Sequence, residues 1–246
     1  MEISNNIKKA YSNVYNQNES LVEWRTKAAK YKAKNIVELS KNIKFDSVLE
    51  VGCGEGSILY WLSQWGFSKN LNGIEISENA IELTKSKQIE NLKSIQLFDG
   101  YNIPFEDNHF DLLICSHVME HVEYERVLLR EIRRVSKYQI FEIPIDFSFY
   151  VDKKIDLLLS YGHINIYTPA LFRFLLMSEK FQIKSDKCYL YENEVLKHLY
   201  ANNTFEFYKL KAKFLILKTF PFLRGIKPSS YVVLTEKVDG ELSIYE

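Results

Sequence analysis

The sequence predicts an α/β protein: a doubly wound sheet, mostly parallel with an antiparallel last strand, and helices on both faces. Two observations carry this expectation. From about residue 47 short apolar runs alternate with amphipathic stretches, the pattern of successive strand–helix units. A chain with only nine glycines also gathers Gly52, Gly54 and Gly56 directly behind one of those runs. Such a cluster makes a tight, side-chain-free turn between strand and helix, where a ligand can lie against backbone.

Residues ahead of the sheet, including Tyr11, Tyr15, Trp24, Arg25 and Tyr31, read as helical. SVLEVG (47–52) is a buried strand and GSILYWLSQWG (56–66) the helix behind it, stopped by Gly66. LNGIEIS (71–77) is the second strand, and Ser77 caps a helix reaching to about Glu90. SIQLFDG (94–100) is the third. FDLLICSHV (110–118) lacks polar alternation, as a centre strand covered on both faces should. A helix over 124–137 turns Val127, Leu128, Ile132 and Val135 inward, and YQIFEIPI (138–145) is strand five. Thr168 with Pro169 opens a helix over 168–181, followed by a strand-like 182–191. Residues 192–226 are helix-prone and aromatic, and SSYVVLTEKV (229–238) is the last strand. The expectation is one domain over 1–246: a helical lid or cap (1–45), a ligand-binding core (46–191), a helical basic-aromatic insertion (192–228), and a last strand with tail (229–246).

Composition narrows the class. With 46% apolar residues, 26% charged and 32 basic against 32 acidic, this is an ordinary globular chain, not a nucleic-acid coat or polybasic anchor. The three cysteines, Cys53, Cys115 and Cys188, are far apart and form no CxxC pair, so neither a disulfide framework nor a zinc ribbon is expected. The N-terminus has no apolar signal region, and no window approaches the ~20 apolar residues of a membrane span. A soluble, cytoplasmic protein is expected, monomer or homodimer, without nucleic acid.

The glycine spacing is Gly-x-Gly-x-Gly, with Ser57 where a dinucleotide fingerprint wants its third glycine. Glu75 ends strand two, about twenty residues on, where a carboxylate can hold both hydroxyls of a ribose. Asp99-Gly100 ends strand three, where an acid and a small residue can approach an adenine amino group. Three strand ends thus converge on one nucleoside-sized ligand.

These stretches carry a resemblance. VLEVGCGEGS looks like the first motif of class I S-adenosylmethionine-dependent methyltransferases, GIEIS like their second, and FDGYNIPFEDNHFDLLICSHVMEHV like their third and fourth. LLREIRRVSK resembles the helix after the fourth, and GHINIYTPALFRFLLMSEKFQI a segment of many small-molecule members. The resemblance spans roughly residues 45–185, and its specificity lies in order and spacing. It implies a Rossmann-like sheet with S-adenosyl-L-methionine as cofactor and S-adenosyl-L-homocysteine as product. Glu50, Gly52, Cys53 and Gly54 would surround the methionine part and Glu75 the ribose, with Ile76 on the adenine. Asp99 and Gly100 would meet the adenine edge, and the backbone of Cys115 and Ser116 would face the amino group. One departure is that Val135-Ser136-Lys137-Tyr138 runs straight into strand five, without the family's Lys-Pro-Gly-Gly approach.

Methyl transfer from a sulfonium needs alignment, and a base only where the acceptor is a hydroxyl or a protonated amine. His117, His121 and His163 are the candidates, each with packing or capping as the alternative. His117-Val-Met-Glu120-His121 also matches H-x-x-E-H. That pattern should lie within a helix and have a distant third ligand, whereas here it starts at a strand end, and His117 suits a hard cation poorly. No metal is expected. Tyr11, Tyr15 and Arg25 are the substrate-binding candidates, Arg25 for a carboxylate or phosphate. Over 209–227, Lys209, Lys211, Lys213, Lys218, Arg224 and Lys227 interleave with aromatic and aliphatic residues. This suits a peripheral membrane contact, an anionic substrate, or a core helix with snorkelling lysines. The expected function is O- or N-methylation of a small polar molecule, plausibly a sugar or nucleotide-linked sugar for surface polysaccharide. The alternatives are a quinone or other lipid-pathway methyltransferase, a cofactor-binding protein without catalysis, and an NAD-dependent oxidoreductase, the last weakened by Ser57.

Overall fold

The computed structural model describes residues 19–147, 151–199, 203–220 and 228–239. Helix α1 (Glu19–Leu39) precedes β1 (Val48–Val51), α2 (Ser57–Gln64), β2 (Leu71–Glu75), α3 (Glu78–Ser86), β3 (Leu92–Leu97), β4 (Phe110–Ser116), α4 (Glu125–Val135) and β5 (Ser136–Pro144). Beyond these come α5 (Ile155–Ser160), α6 (Pro169–Ser178), β6 (Phe181–Tyr189), α7 (Asn193–Leu199), α8 (Thr204–Thr219) and β7 (Ser230–Lys237). The strands form one sheet in the order β3-β2-β1-β4-β5-β7-β6. β1 to β5 pair in parallel, and β7 lies antiparallel between β5 and β6. The last strand in sequence is therefore interior and β6 forms the edge.

Strands buried on both faces explain the unbroken apolar runs. In β4, Leu113 and Cys115 join Leu49, Val51, Phe141 and Val233 on one face, while Leu112 and Ile114 join Val48, Leu71, Ile140 and Val232 on the other. α1 covers the second face through Ala29, Ala33 and Ile36, spaced so as to share one side of a helix. Truncating any such leucine to alanine costs about 2–5 kcal/mol.

Several boundaries differ from those read in the sequence. The helix capped by Ser77, whose hydroxyl accepts the Ala80 amide at 3.4 Å, ends at Ser86 rather than near Glu90. Gln88 there takes φ 47°, which a continuing helix does not allow. β4 ends at Ser116, because His117 turns left-handed with φ 55°. α4 gives way to β5 between Val135 and Ser136 without a loop, so the missing glycine turn is not needed. The stretch 192–226 divides into α7 and α8.

Only one side of α8 fits a core helix. Phe214 and Leu217 pack with Leu196 of α7, while Phe205, Tyr208, Leu215, Ile216 and Phe220 are exposed. Arg224 and Lys227 lie outside the described residues, as do Tyr11 and Tyr15; the side chains of Trp24 and Lys218 do too. Among the described residues no helix is long and apolar enough to cross a membrane.

Candidate functional site

The carboxyl ends of β1, β2, β4 and β5 meet at one edge of the sheet. β1 runs into a turn in which Gly52, Gly54 and Gly56 all take left-handed backbone, with φ 65°, 55° and 73°. A Cβ at Gly52 would stand 2.6 Å from Val118 Cγ2, and one at Gly56 would stand 2.6 Å from Thr84 Cγ2. Two of the glycines therefore also let the segment after β4 and helix α3 pack close. Gly54 lies between them, donating its amide to Glu75 Oε2 at 2.8 Å while its carbonyl accepts the Thr84 hydroxyl at 3.0 Å.

Glu75 ends β2 as expected. Its other oxygen accepts the amides of Ile76 at 2.8 Å and Ser77 at 3.1 Å. Burial raises its pKa, and the three amides oppose that without cancelling it. Glu50 is buried beside it, and burial holds its carboxyl well above the usual carboxylate range, Lys32 opposing and Glu75 reinforcing. Its Oε2 has no hydrogen-bond partner. Asp99 is half-buried and accepts the amides of Tyr101 and Asn102 at 2.8 and 2.7 Å. Burial raises its pKa, but the Asn102 and Tyr101 hydrogen bonds outweigh this and leave it lowered.

Cys53 reaches the site through backbone alone. Its thiol packs toward Gly73 in the core, and burial raises its pKa. Cys115 is likewise a core residue, paired with Val51 and Phe141 in the sheet. Ser116 donates its hydroxyl to Glu142 Oε2 at 3.1 Å.

The second wall holds the three histidines. His117 has strained left-handed backbone, its amide fixed to the Glu142 carbonyl at 2.8 Å. Its Nδ1 stands 3.3 Å from Glu120, and His121 Nε2 stands 3.8 Å from the same oxygen. Burial raises the Glu120 pKa, yet His117 and His121 outweigh it and the carboxyl is lowered. His163 arrives from the loop after α5, with ring centroids 4.8 Å from His121 and 77° between the planes. That loop is clamped onto the turn at Met119–His121. The Ile164 and Asn165 amides donate to the Glu120 carbonyl at 2.9 and 3.0 Å, and the Asn165 side chain to the Met119 carbonyl at 3.1 Å. His121 is lowered in pKa by burial, against the pull of Glu120. His163 is raised: burial lowers it, but the Asp146 carboxylate outweighs that.

Arg25 meets the glycine turn. Its Nε lies 3.3 Å from Glu55, which also takes Lys87 at 3.3 Å and the Ser57 hydroxyl at 2.8 Å. The buried Glu55 carboxylate in the glycine turn draws the guanidinium, so Arg25 ties α1 to that turn. Lys32, about two turns further along α1, is the residue the sequence did not single out. It is half-buried, and burial lowers its pKa while Glu142, Glu120 and Glu50 oppose this. Glu142 was also missed: it accepts from Asn35, Ser116 and Ser230, each at 3.1 Å. An acid at the end of an apolar strand, as in IFEIP, is the signal that could have marked it.

Residues 49–139 match the family described as Methyltransferase domain. Demethylmenaquinone methyltransferase of Staphylococcus aureus is 37% identical over 92 residues, 36% of this chain and 38% of that protein. Over residues 49–139, well under half of the chain, this protein is similar to a methyltransferase domain. An uncharacterized protein of Methanocaldococcus jannaschii is 36% identical over 99 residues, 39% of each chain. The match thus spans under two fifths of these curated relatives. Among solved structures, the SAM-dependent methyltransferase of Thermotoga maritima, described as a possible histamine N-methyltransferase, has TM-score 0.61 at 13% identity, covering 93% of this chain and 100% of that one. A chain of the complex between the Haloferax volcanii Trm112 methyltransferase activator and a methyltransferase has TM-score 0.69 at 11% identity, covering 93% and 98%. These two show the methyltransferase fold.

The cofactor of such a domain is S-adenosylmethionine. The residues present fit it. Glu50 Oε2 is a buried acceptor without a donor, suited to a ligand's ammonium group. The left-handed glycine turn places backbone, with no side chain, beside it.

Proposed function

We propose that this chain transfers a methyl group from S-adenosylmethionine to a small polar acceptor, at oxygen or nitrogen. One observation carries the reading: the orphaned Glu50 oxygen and the His117–Glu120–His121–His163 cluster stand at neighbouring strand ends. A cofactor wall and a proton-accepting wall therefore share one edge of the sheet. When bound, the cofactor supplies an already activated methyl group. Glu50, Glu75 and Asp99 orient it, the last two through carboxylates held by neighbouring amides. His117 takes the acceptor proton as the bond to carbon forms, and the Glu120 carboxylate 3.3 Å away stabilises the imidazolium. Lys32 of α1 adds a positive charge that interacts with Glu142, Glu120 and Glu50.

Within this class the polar lining favours a hydroxylated acceptor such as a sugar or nucleotide-linked sugar for surface polysaccharide. A quinone or other lipid acceptor is the second reading, supported by the likeness to demethylmenaquinone methyltransferase and by the exposed apolar side of α8. Calorimetric titration with S-adenosylhomocysteine beside NAD tests the cofactor. Binding of NAD with none of the homocysteine nucleoside would overturn the proposal. A methyl-transfer screen across sugars, nucleotide sugars and demethylated quinols then separates the two acceptor classes.

A further inference from the structure

We infer that α8 docks this chain onto an anionic lipid surface through the side that faces away from the core. Phe207, Leu210, Phe214 and Leu217 follow one another at intervals of three and four residues, which puts them in one stripe of the helix. They pack with Leu196 of α7. Phe205, Tyr208, Ala212 and Leu215 repeat the same intervals two residues earlier in the chain. A shift of two residues turns the stripe through about 200°, so the second set lies opposite the first. That second set is exposed, Phe205 at 76% and Leu215 at 66%, with Ile216 beside it at 53%. α8 is thus apolar on two opposite sides, one buried in the fold and the other facing outward.

The charges identify what covers the outer side. α8 carries Lys209, Lys211, Lys213 and Lys218 against a single acid, Glu206 in its first turn. Lys209 and Lys213, four residues apart, share one flank of the exposed stripe. Lys211 lies on the other flank, where position 218 also falls, seven residues on. Lys209 and Lys211 are exposed and Lys213 is half-buried.

An apolar stripe between two rows of lysines suits a helix lying in the interface of an anionic bilayer. Rings and aliphatic chains enter the acyl boundary, while the ammonium groups reach back to the lipid phosphates on their long stems. With 16 residues α8 lies on the bilayer and does not cross it. A second copy of this chain fits poorly, because pairing the stripe with itself sets lysine against lysine. The surface does not depend on the proposed methyl transfer.

The full chain is sedimented with vesicles of phosphatidylcholine and phosphatidylglycerol in equal parts, and with vesicles of phosphatidylcholine alone. Binding to the mixed vesicles is expected to be ~10-fold tighter or more, and to weaken as salt rises. Leu215→Ser combined with Ile216→Ser should weaken it by ~10-fold or more. Lys209→Gln and Lys211→Gln should each weaken it by about 5-fold. Leu171→Ser, at an exposed position of α6, is the control and should change nothing. An unchanged urea midpoint shows that each variant is folded. No binding to the mixed vesicles, equal binding to both kinds, or wild-type binding by the folded α8 variants would each overturn the proposal. So would an equal loss in Leu171→Ser, or a dimer in solution that the Leu215 and Ile216 substitutions separate.

Discussion

Glu75 accepts the backbone amide of Gly54 at 2.8 Å, so the end of β2 holds the glycine turn that follows β1. The same carboxylate is the ribose ligand expected of a class I methyltransferase domain. Glu75→Ala should weaken S-adenosylhomocysteine by about 1–3 kcal/mol, through loss of charge-assisted hydrogen bonds. Calorimetry on the folded variant reads this directly. An affinity equal to wild type would place the ribose elsewhere.

The glycine turn is also under steric control. Gly56→Ala adds a methyl 2.6 Å from Thr84 Cγ2 on a backbone with φ 73°, and should lower stability by about 1–3 kcal/mol. Gly66→Ala is the control. It has φ 63° but nothing within 4 Å of the added methyl, so it should cost only the backbone term, about 1 kcal/mol. Equal shifts in denaturant midpoint for the two would show that crowding against Thr84 contributes nothing.

Acid should loosen the join between α4 and α6. Glu179, buried at the end of α6, binds Arg126 at 2.7 Å and Arg130 at 2.9 Å. Burial raises its pKa, but the two guanidinium groups outweigh this and hold it below the usual value. A depressed folded pKa means that its stabilisation is complete above the unfolded value of about 4.3 and is lost as pH falls through the lower, folded one. Glu179→Gln should therefore cost about 1–3 kcal/mol at pH 7 and progressively less below pH 4. A pH-independent difference in urea midpoint would refute the assignment.

His117→Ala should lower turnover while leaving S-adenosylhomocysteine affinity nearly intact, since the ring faces Glu120 rather than the glycine turn. A loss of about 10²–10⁴-fold is expected if the histidine takes the acceptor proton. Wild-type turnover in this variant would remove it from the catalytic set.

The succession of strands and helices along the chain was legible in the sequence, because it depends on local signals. Apolar runs, a capping Ser77 and three clustered glycines each act on neighbours in the chain, and Glu75 and Asp99 sit at strand ends that such runs define. The placement of β7 between β5 and β6 depended on pairing between distant segments, which no local pattern reports. The same holds for the second wall. His163 meets His121 only because the Ile164 and Asn165 amides bind the Glu120 carbonyl, and Arg25 meets Glu55 only because α1 packs over the turn. Lys32 carried no signal at all, since a lysine on a helix is ordinarily solvated. Local sequence thus determined the elements and the glycine turn between β1 and α2, whereas long-range contacts decided which charged groups lost their water and came to face one another.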